Sequence, residues 1–338
     1  MSMTQLCRVF GRHRQAWYRA TLTKERQDMQ ELLILEKVRR IRQELPRMGT
    51  EKLHVCLKHF YRDHHIKMGR DRLNRLLKTA GLLVPKHSRR VRTTHSRHRF
   101  RKYANLIKGL QPTRANELWV SDITYISVGG YFCYLSLVTD AYSRKIVGWN
   151  LGRTLEAKGP IAALNMAIKQ RKNPKETLIH HSDRGIQYCS YAYVEILEEN
   201  QIQISMTEGE SYENAIAERV NGMLKNEVFM TQGFPNFELA LAEVQRGIKA
   251  YNTLMPHRSC DMLTPAKAHK KKGVLKRRWK DYRKLKLQAQ DYERDSHDPV
   301  SSVSPPLPRK TPNTESGRRI NTFLNLEQSI KNSPNNPG

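Results

Sequence analysis

The chain has 338 residues, 60 of them Lys or Arg and 32 Asp or Glu, which gives a formal net charge of +28. Its length allows two domains and at least one hydrophobic core, and its charge makes a polyanion the expected partner, because binding would release phosphate counterions. No apolar run reaches bilayer-spanning length and no secretory signal pattern is present, which argues against a membrane protein. Five scattered cysteines without a CxxC pair indicate a reducing compartment. A merely soluble basic protein is the alternative.

Residues 1–84 have the pattern of short amphipathic helices. A helix that ends at Gly11 and a second that begins near Arg14 come first, and a long helix over 24–45 stops before Pro46. The expected apolar face of the long helix consists of Leu32, Leu35, Val38 and Ile41. The first two helices have the size of a helix-turn-helix fragment, and a generic helical hairpin fits nearly as well.

The later helices of this region are shorter and more basic. Thr50 is the expected N-cap of one helix, and Gly69 precedes another. In the second of these, leucines face inward while Arg72 and Arg75 stay solvated, so we predict a small helical DNA-binding region in which both arginines contact DNA. For any single arginine, a charged face that only meets solvent is an equally good interpretation.

A strongly basic segment follows. Between Pro85 and Lys102 there are eight Lys or Arg, three His and no acid. Such a stretch cannot form a core, so we predict a linker over 85–114 that is disordered until it lies along a phosphate backbone, with Arg89 and Arg90 as contacts. A plain solvated linker is the alternative.

From about Asn116 the pattern changes to strands. Three strand-like runs come first, the earliest two joined at Gly129-Gly130, and helices then alternate with strands. The predicted strands cover 118–126, 131–138, 145–149, 177–182 and 202–206. The predicted helices begin at 160 and cover 190–200 and 212–229. This order predicts an α/β domain over 115–272, an RNase H-like core with a mixed five-stranded sheet and flanking helices.

Three acids stand out within this domain. Asp122 lies along the first strand, Asp183 ends the fourth, and Glu218 lies on the last helix. In this topology the two strands are neighbours, so the acids can meet. Three carboxylates from two strands and a helix could hold two Mg²⁺ ions about 3.5–4 Å apart, the arrangement used for in-line attack on phosphodiesters.

The helix that carries Glu218 has a polar face. Asn214, Glu218, Asn221 and Lys225 recur at helical spacing, and Lys225 could reach a DNA phosphate near the metals. A polar stripe of this kind is more often structural than functional. Asp140 also competes with the first two acids, although its place in a turn favours a turn-forming role. The other acids that compete with Glu218 are Glu208, Glu210, Glu213 and Glu227.

After the predicted core the chain becomes basic again. Residues 267–286 hold eleven Lys or Arg and one acid, with Trp279 and Tyr282 among them. Backbone binding with base stacking would use Arg277 and Arg278, and a solvated helix is the alternative. The segment 273–338 is therefore predicted to be a basic and then disordered tail.

Four motifs in order resemble those of a known family. They are Trp119-x-x-Asp122-Ile-Thr-Tyr-Ile, His181-Ser-Asp183-Arg184-Gly-x-Gln-Tyr, Asn214-Ala-x-x-Glu218-x-x-x-x-x-x-Lys225-x-Glu227, and Tyr251-Asn-x-x-x-Pro-His with Leu263-Thr-Pro-Ala. Sixty residues lie between Asp122 and Asp183 and thirty-four between Asp183 and Glu218. These motifs and spacings resemble the DDE integrase core of bacterial insertion-sequence transposases of the IS-three family, specifically the OrfB-type protein.

This resemblance implies a DNA transposase that cleaves the ends of its element and transfers the freed 3′-hydroxyl to another strand. It implies Asp122, Asp183 and Glu218 as catalytic residues and ligands of two Mg²⁺ ions, with Mn²⁺ as a substitute. Asn214 and Arg184 join Lys225 as expected DNA contacts.

The resemblance also implies partners and a location. The expected partners are double-stranded DNA, further copies of the chain on that DNA and an upstream-frame, OrfA-type protein, because no leucine zipper precedes the core. The expected location is the bacterial cytoplasm, at the nucleoid. A nuclease of the same fold that does not join strands, and a DNA-binding repressor of the element, are the alternatives.

Overall fold

The computed structural model describes residues 2–85, 99–208, 213–229 and 233–278, a helical region followed by a sheet with helices on both faces. In the helical region the elements are α1 (Met3–Val9), α2 (Arg14–Glu44), α3 (Thr50–Cys56), α4 (Lys58–Asp63) and α5 (Arg70–Thr79). The tail from 279 onward and the basic segment 86–98, with Arg89 and Arg90, lie outside the described residues.

The helix α2 differs from the sequence prediction because it is one continuous element of 31 residues. No Gly or Pro interrupts residues 14–24, so the helix does not need to stop before Lys24. Within this stretch Thr21 Oγ1 donates to the Trp17 carbonyl at 3.1 Å, and Thr23 Oγ1 donates to the carbonyl one turn earlier at 2.7 Å. These bonds satisfy the threonine hydroxyls inside the helix.

Two details of the predicted helical region are wrong. Gly49, not Thr50, is the N-cap of α3, and the Thr50 hydroxyl instead donates to Asn74 Oδ1 at 3.0 Å, which ties α3 to α5. Leu32 was expected on the buried face of α2 but is 62% exposed. Leu35 and Val38 are buried as predicted, and the third buried residue of this face is Ile34.

The sheet and its helices follow in chain order. The elements are β1 (Leu118–Val128), β2 (Tyr131–Asp140), β3 (Ile146–Gly152), α6 (Lys158–Lys169), β4 (Ile179–Ser182), α7 (Tyr191–Glu199), β5 (Gln203–Met206), α8 (Ala215–Met223), a π-helical turn (Leu224–Val228), α9 (Phe237–Leu254), a 3₁₀ turn (Arg258–Cys260) and α10 (Pro265–Ala268). The strand order is β3-β2-β1-β4-β5. The first three strands are antiparallel, and β4 and β5 run parallel to β1. The predicted mixed five-stranded, RNase H-like sheet is confirmed.

The hairpin between β1 and β2 turns at the predicted glycine pair. Gly129 and Gly130 have φ of 53° and 86°. Positive φ at both central residues is the backbone of a two-residue turn that matches strand twist, and glycine reaches it without strain. At the next turn Asp140 acts as predicted, because its carboxylate accepts the amide hydrogens of Ser143 and Asn116, each at 2.7 Å.

Helices cover both faces of the sheet. On one face, α6 and α7 pack on Trp119, Val138 and Val147. On the other, α9 and the π turn share a hydrophobic cluster with β1 to β3 and with the leucines of the helical region. The helical region and the sheet therefore form one compact unit, Met1–Lys280, and the predicted boundary at residue 84 stays a prediction.

The last part of the predicted linker is packed rather than unstructured. The Ala104 carbonyl accepts the Met206 amide at 3.3 Å, and the Leu106 amide donates to Ser205 Oγ at 2.9 Å. Phe100 contacts Tyr191 edge-to-face, with ring centroids 5.8 Å apart. This stretch therefore runs beside β5, where it protects an edge of the sheet that would otherwise be open.

The motif at 251–257 holds α9 on the sheet. Asn252 both accepts the amide hydrogen and donates to the carbonyl of Ile146, each at 3.0 Å, so its side chain pairs with the exposed edge of β3. Tyr251 donates to the Arg144 carbonyl at 3.0 Å. Both contacts are structural. No helix in the described ranges has the length and apolar character needed to cross a bilayer.

Candidate active site

The strand register brings Asp122 and Asp183 together. The last pair between the parallel strands β1 and β4 is Val120 with His181. Asp122 lies two residues further along β1, and Asp183 lies two residues after His181, just past the end of β4. Side chains two residues apart point to the same face, so both carboxylates emerge at the same level of the sheet. The predicted meeting of these two acids is observed.

The two carboxylates repel each other in a poorly solvated place. Burial raises the pKa of Asp122 to about 7, and the charge of Asp183 adds to this rise. Hydrogen bonds from Asn221 and from the Ile123 amide, and the positive charge of Lys225, act in the opposite direction on this pKa. A carboxyl whose pKa is raised by burial and by a neighbouring acid is more typical of a functional site than of a structural pair.

Helix α8 is tied to the acid pair through Asn221. Its Nδ2 donates to Asp122 Oδ2 at 2.8 Å. Glu218 lies three residues earlier, on the same face of the helix. Lys225, in the π turn that follows, is near enough for its charge to lower the pKa of Asp122. Two residues of the predicted polar face, Asn221 and Lys225, therefore lie near Asp122. The sequence did not predict the hydrogen bond from Asn221 to Asp122.

Glu218 does not form a metal-binding cluster with Asp122 and Asp183 in this structure. Among the described residues, no three His, Cys, Asp or Glu side chains are gathered closely enough to hold a metal ion. Glu218 as the third ligand therefore stays a prediction. Most acids that competed with it are engaged elsewhere. Glu213 accepts from Asn105 at 2.8 Å, Glu208 from Lys108 at 2.5 Å and Glu227 from Lys52 at 2.5 Å; Glu210 lies outside the described residues.

A buried polar network supports the strands next to the acids. His180 Nε2 lies 2.8 Å from Ser121 Oγ and 2.9 Å from the Tyr193 hydroxyl. Burial lowers the pKa of His180 to about 3, so the ring is neutral, and both hydroxyls lie within hydrogen-bond distance of its Nε2. The network ties Ser121, immediately before Asp122, to His180, three residues before Asp183. The sequence did not predict it, although two histidines on a buried strand were a visible signal.

The predicted DNA-binding residues are dispersed over the surface. Arg75 and Arg277 are exposed. Arg72 pairs with Glu31 at 3.0 Å, and Arg278 with Asp261 at 2.6 Å. Asn214 is buried, and its Nδ2 donates to the Ser121 carbonyl at 2.9 Å, a position that favours a structural role for this amide. Arg184 follows Asp183 directly and is half-buried at the end of β4. DNA contact by any of these residues stays a prediction.

The raised pKa of Asp122 predicts how the stability of metal-free protein depends on pH. The folded protein keeps this proton up to about pH 7, whereas an unfolded Asp loses it near about 3.9. Stability should therefore fall as the pH rises through this window, because the folded state binds more protons. We expect the melting temperature of the wild type in chelator, relative to Asp122→Asn, to fall from pH 5 to pH 8.

The wild type is compared with Asp122→Asn because burial also lowers the pKa values of His180 and His181. Both histidines are present in each protein, so their contribution cancels. An equal pH dependence in the wild type and Asp122→Asn would contradict the raised pKa. Added Mg²⁺ at pH 8 should raise the melting temperature of the wild type more than that of the variant, since a cation relieves the repulsion.

Two family models match the chain. Both are described as integrase core domain, and they cover residues 112–211 and 200–265. Together they span β1 to α10, which is the part of the chain that holds all three predicted acids.

Several insertion-sequence proteins are similar to the chain. The 31 kDa protein of insertion element IS600 of Shigella sonnei is 34% identical over 267 residues, covering 77% of this chain and 96% of that protein. The transposase of insertion sequence IS629 of Shigella sonnei is 34% identical and aligned over 51% of this chain and 57% of its own length. Transposase InsF of IS3A from Escherichia coli is 35% identical over 44% of this chain and 52% of its own length.

Two similar solved structures are retroviral integrases. The integrase catalytic core of HTLV-2 with magnesium is 21% identical, covers 46% of this chain and 97% of its own, and has a TM-score of 0.37. The integrase assembly of simian T-cell lymphotropic virus is 17% identical, covers 80% and 77%, and has a TM-score of 0.41. The assignment rests instead on the sheet order, the family models and the IS600 relative: the chain belongs to the IS-three family of insertion-sequence transposases, enzymes with an integrase catalytic core.

Proposed function

We propose that this transposase cleaves DNA at the ends of its element and joins the freed 3′-hydroxyl to another strand, with Asp122, Asp183 and Glu218 as its metal-binding carboxylates. The observation that carries the proposal is the meeting of Asp122 and Asp183 at one level of the sheet, beside β1 and β4. Burial raises the pKa of Asp122 to about 7, and the charge of Asp183 adds to this rise. Two ionised acids at this place are unfavourable until a cation joins them.

The residues present fit divalent magnesium. Carboxylate oxygens are the ligands that Mg²⁺ prefers, and Glu218 lies on α8 three residues before Asn221, which donates to Asp122. Asn221 Oδ1 is buried and lacks a hydrogen-bond partner among the described residues, so an acceptor beside Asp122 is available to a donor such as an ordered water. We propose two Mg²⁺ ions, replaceable by Mn²⁺, held by the three acids.

Bound metal ions would supply Lewis-acid stabilisation of the attacking and leaving oxygens of the phosphodiester. The chain's own residues prepare the site for that chemistry. Asn221 holds Asp122 in one orientation through its Nδ2. His180, Ser121 and Tyr193 fix the strands behind the acids. Lys225 brings a cationic side chain to the rim of the site, where a DNA phosphate would meet it.

The proposed substrate is double-stranded DNA, both the element ends and the target. The net charge of +28 supports binding to a phosphate backbone. We further propose that copies of the chain assemble on the two DNA ends, that an upstream-frame protein assists recognition, and that the reaction takes place in the cytoplasm at the nucleoid.

Strand joining tests this proposal. Purified protein is incubated with Mg²⁺ and labelled duplex DNA that carries the sequences flanking its own coding region, and joined products are separated by size. We expect joined product with the wild type and a loss of about 10³-fold or more with Glu218→Gln, since members of a catalytic set act as a unit. DNA binding by the variant should remain, because one neutral substitution leaves the basic surface intact.

The outcomes separate the alternatives. Cleaved but unjoined DNA from the wild type would assign a nuclease and overturn the proposal. Binding without cleavage, even after addition of the upstream-frame protein, would assign a repressor. Full joining activity in Glu218→Gln would exclude Glu218 as the third ligand while leaving the transposase function in place.

A further inference from the structure

The helix that carries Glu218 and Asn221 ends in an unusual turn. Leu224–Val228 is π-helical, and the Phe229 amide donates to the Leu224 carbonyl five residues earlier, at 2.7 Å. Single π turns are rare and concentrate at functional sites, because each one changes the register of the residues around it. Here the turn contains Lys225, the residue whose charge reaches Asp122.

Two residues of the helical region contact the π turn. Lys52 Nζ of α3 lies 2.5 Å from Glu227 Oε2, and the Arg47 amide donates to the Glu227 carbonyl at 3.2 Å. One residue of the turn therefore receives two contacts from a segment about 175 positions earlier in the chain. The second contact satisfies a backbone carbonyl of the turn with a partner from outside its own helix.

The ion pair is shielded from water. The side chains of Lys52 and Glu227 are 13% and 22% exposed. Burial lowers the pKa of Lys52, and the charge of Glu227 opposes that shift, so Glu227 favours the charged form of Lys52. Exposed ion pairs contribute little to stability, whereas a shielded pair fixes the relative position of the two elements that carry it.

We propose that Lys52 and Glu227 are positioning residues through which the helical region sets the register of the catalytic helix and hence the place of Lys225 beside Asp122. The inference rests on the proposed function. If the helical region is displaced, the π turn loses two contacts and Lys225 moves relative to the acids. The rate of strand joining therefore depends on the position of the helical region, which is expected to bind DNA.

The test compares two contacts of similar kind between the helical region and the core. Lys52→Met breaks the contact to the catalytic helix. Arg246→Met breaks a contact from α9, in which Arg246 Nη1 lies 3.0 Å from Glu44 Oε2 of α2. Both variants should lower the melting temperature. Rate constants for joining and KM for the labelled flanking DNA are then measured well below both melting points, with saturating Mg²⁺.

We expect Lys52→Met to reduce the joining rate constant by about 10- to 100-fold, the loss that misplacement of roughly 1 Å produces, with KM for DNA changed by less than about twofold. Arg246→Met should keep the wild-type rate constant. Lys52→Arg preserves the charge and should recover most of the rate, and Glu227→Gln should resemble Lys52→Met. Equal rate constants in Lys52→Met and Arg246→Met would assign the ion pair to stability alone and overturn the inference.

A second measurement needs no DNA and separates this inference from the proposed function. Amide hydrogen exchange over 224–229 should be faster in Lys52→Met than in the wild type and unchanged in Arg246→Met. Faster exchange in Lys52→Met would support the structural coupling even if the wild type failed to join DNA, and that failure would overturn only the proposed reaction. Unchanged exchange in Lys52→Met would refute the coupling whatever the wild type does.

Discussion

Asp183→Asn is expected to abolish strand joining while it stabilises the metal-free fold. Removal of one carboxylate from the metal-binding set should lower the joining rate by about 10³–10⁵-fold, as for members of other catalytic sets. The same change removes a charge that raises the pKa of Asp122. We therefore expect the free energy of unfolding in chelator at pH 8 to rise by on the order of 1 kcal/mol. Joining assays and thermal melts measure the two effects.

Magnesium should reverse the order of stability of these two proteins. On the proposed function, the wild type should bind Mg²⁺ in its folded state only and gain about 2.7 kcal/mol when the metal is at 100 times its dissociation constant. Asp183→Asn lacks a ligand and should gain far less. Glu199→Gln, an exposed acid on α7, is the matched control and should change neither property. A variant at Asp183 that is less stable than the wild type in chelator would refute the repulsion between the two acids.

Gly148→Ala is expected to have the largest effect on folding. Glycine is required at this position of β3 because a Cβ would lie 2.0 Å from the Ala163 carbonyl oxygen of α6, a backbone atom that cannot rotate away. The helix would have to move off the sheet. We expect a loss of about 3 kcal/mol or more in the free energy of unfolding, the upper part of the range for overpacked cores.

Chemical denaturation measures this loss, and Gly222→Ala is its control. A Cβ at Gly222 meets nothing within 4 Å, and the residue lies inside α8. Alanine there should therefore stabilise the protein by about 0.5–1 kcal/mol through helix propensity. Similar unfolding midpoints for Gly148→Ala and the wild type would show that α6 does not lie this close to β3.

Much of the catalytic core could be predicted from the sequence, because its signals are local. Alternating apolar residues identified β1 and β2, and the pair Gly129-Gly130 identified the turn between them. The order of strands and helices then left few topologies, so the meeting of Asp122 with Asp183 followed from neighbouring parallel strands. The motif spacing pointed to the same acids independently.

Other features were not predictable because they depend on contacts between distant residues. The π turn at Leu224–Val228 has no sequence signature, and its contacts with Lys52 and Arg47 join positions far apart in the chain. Asn252 appeared in a family motif, yet its role as a partner for the edge of β3 required the fold to be known. Periodicity likewise could not choose between Leu32 and Ile34 as the buried residue of α2.

The sequence by itself determined the α/β core, its order of elements and the two strand acids. Periodicity, turn chemistry and motif spacing are properties of residues close together in the chain, so they can be read without the fold. Only the tertiary structure decided that Asn221 orients Asp122, that His180 supports both strands, and that the helical region contacts the π turn after α8. Those interactions depend on shielded charges and buried hydrogen bonds, whose strength arises from a low-dielectric interior that exists only after the chain has folded.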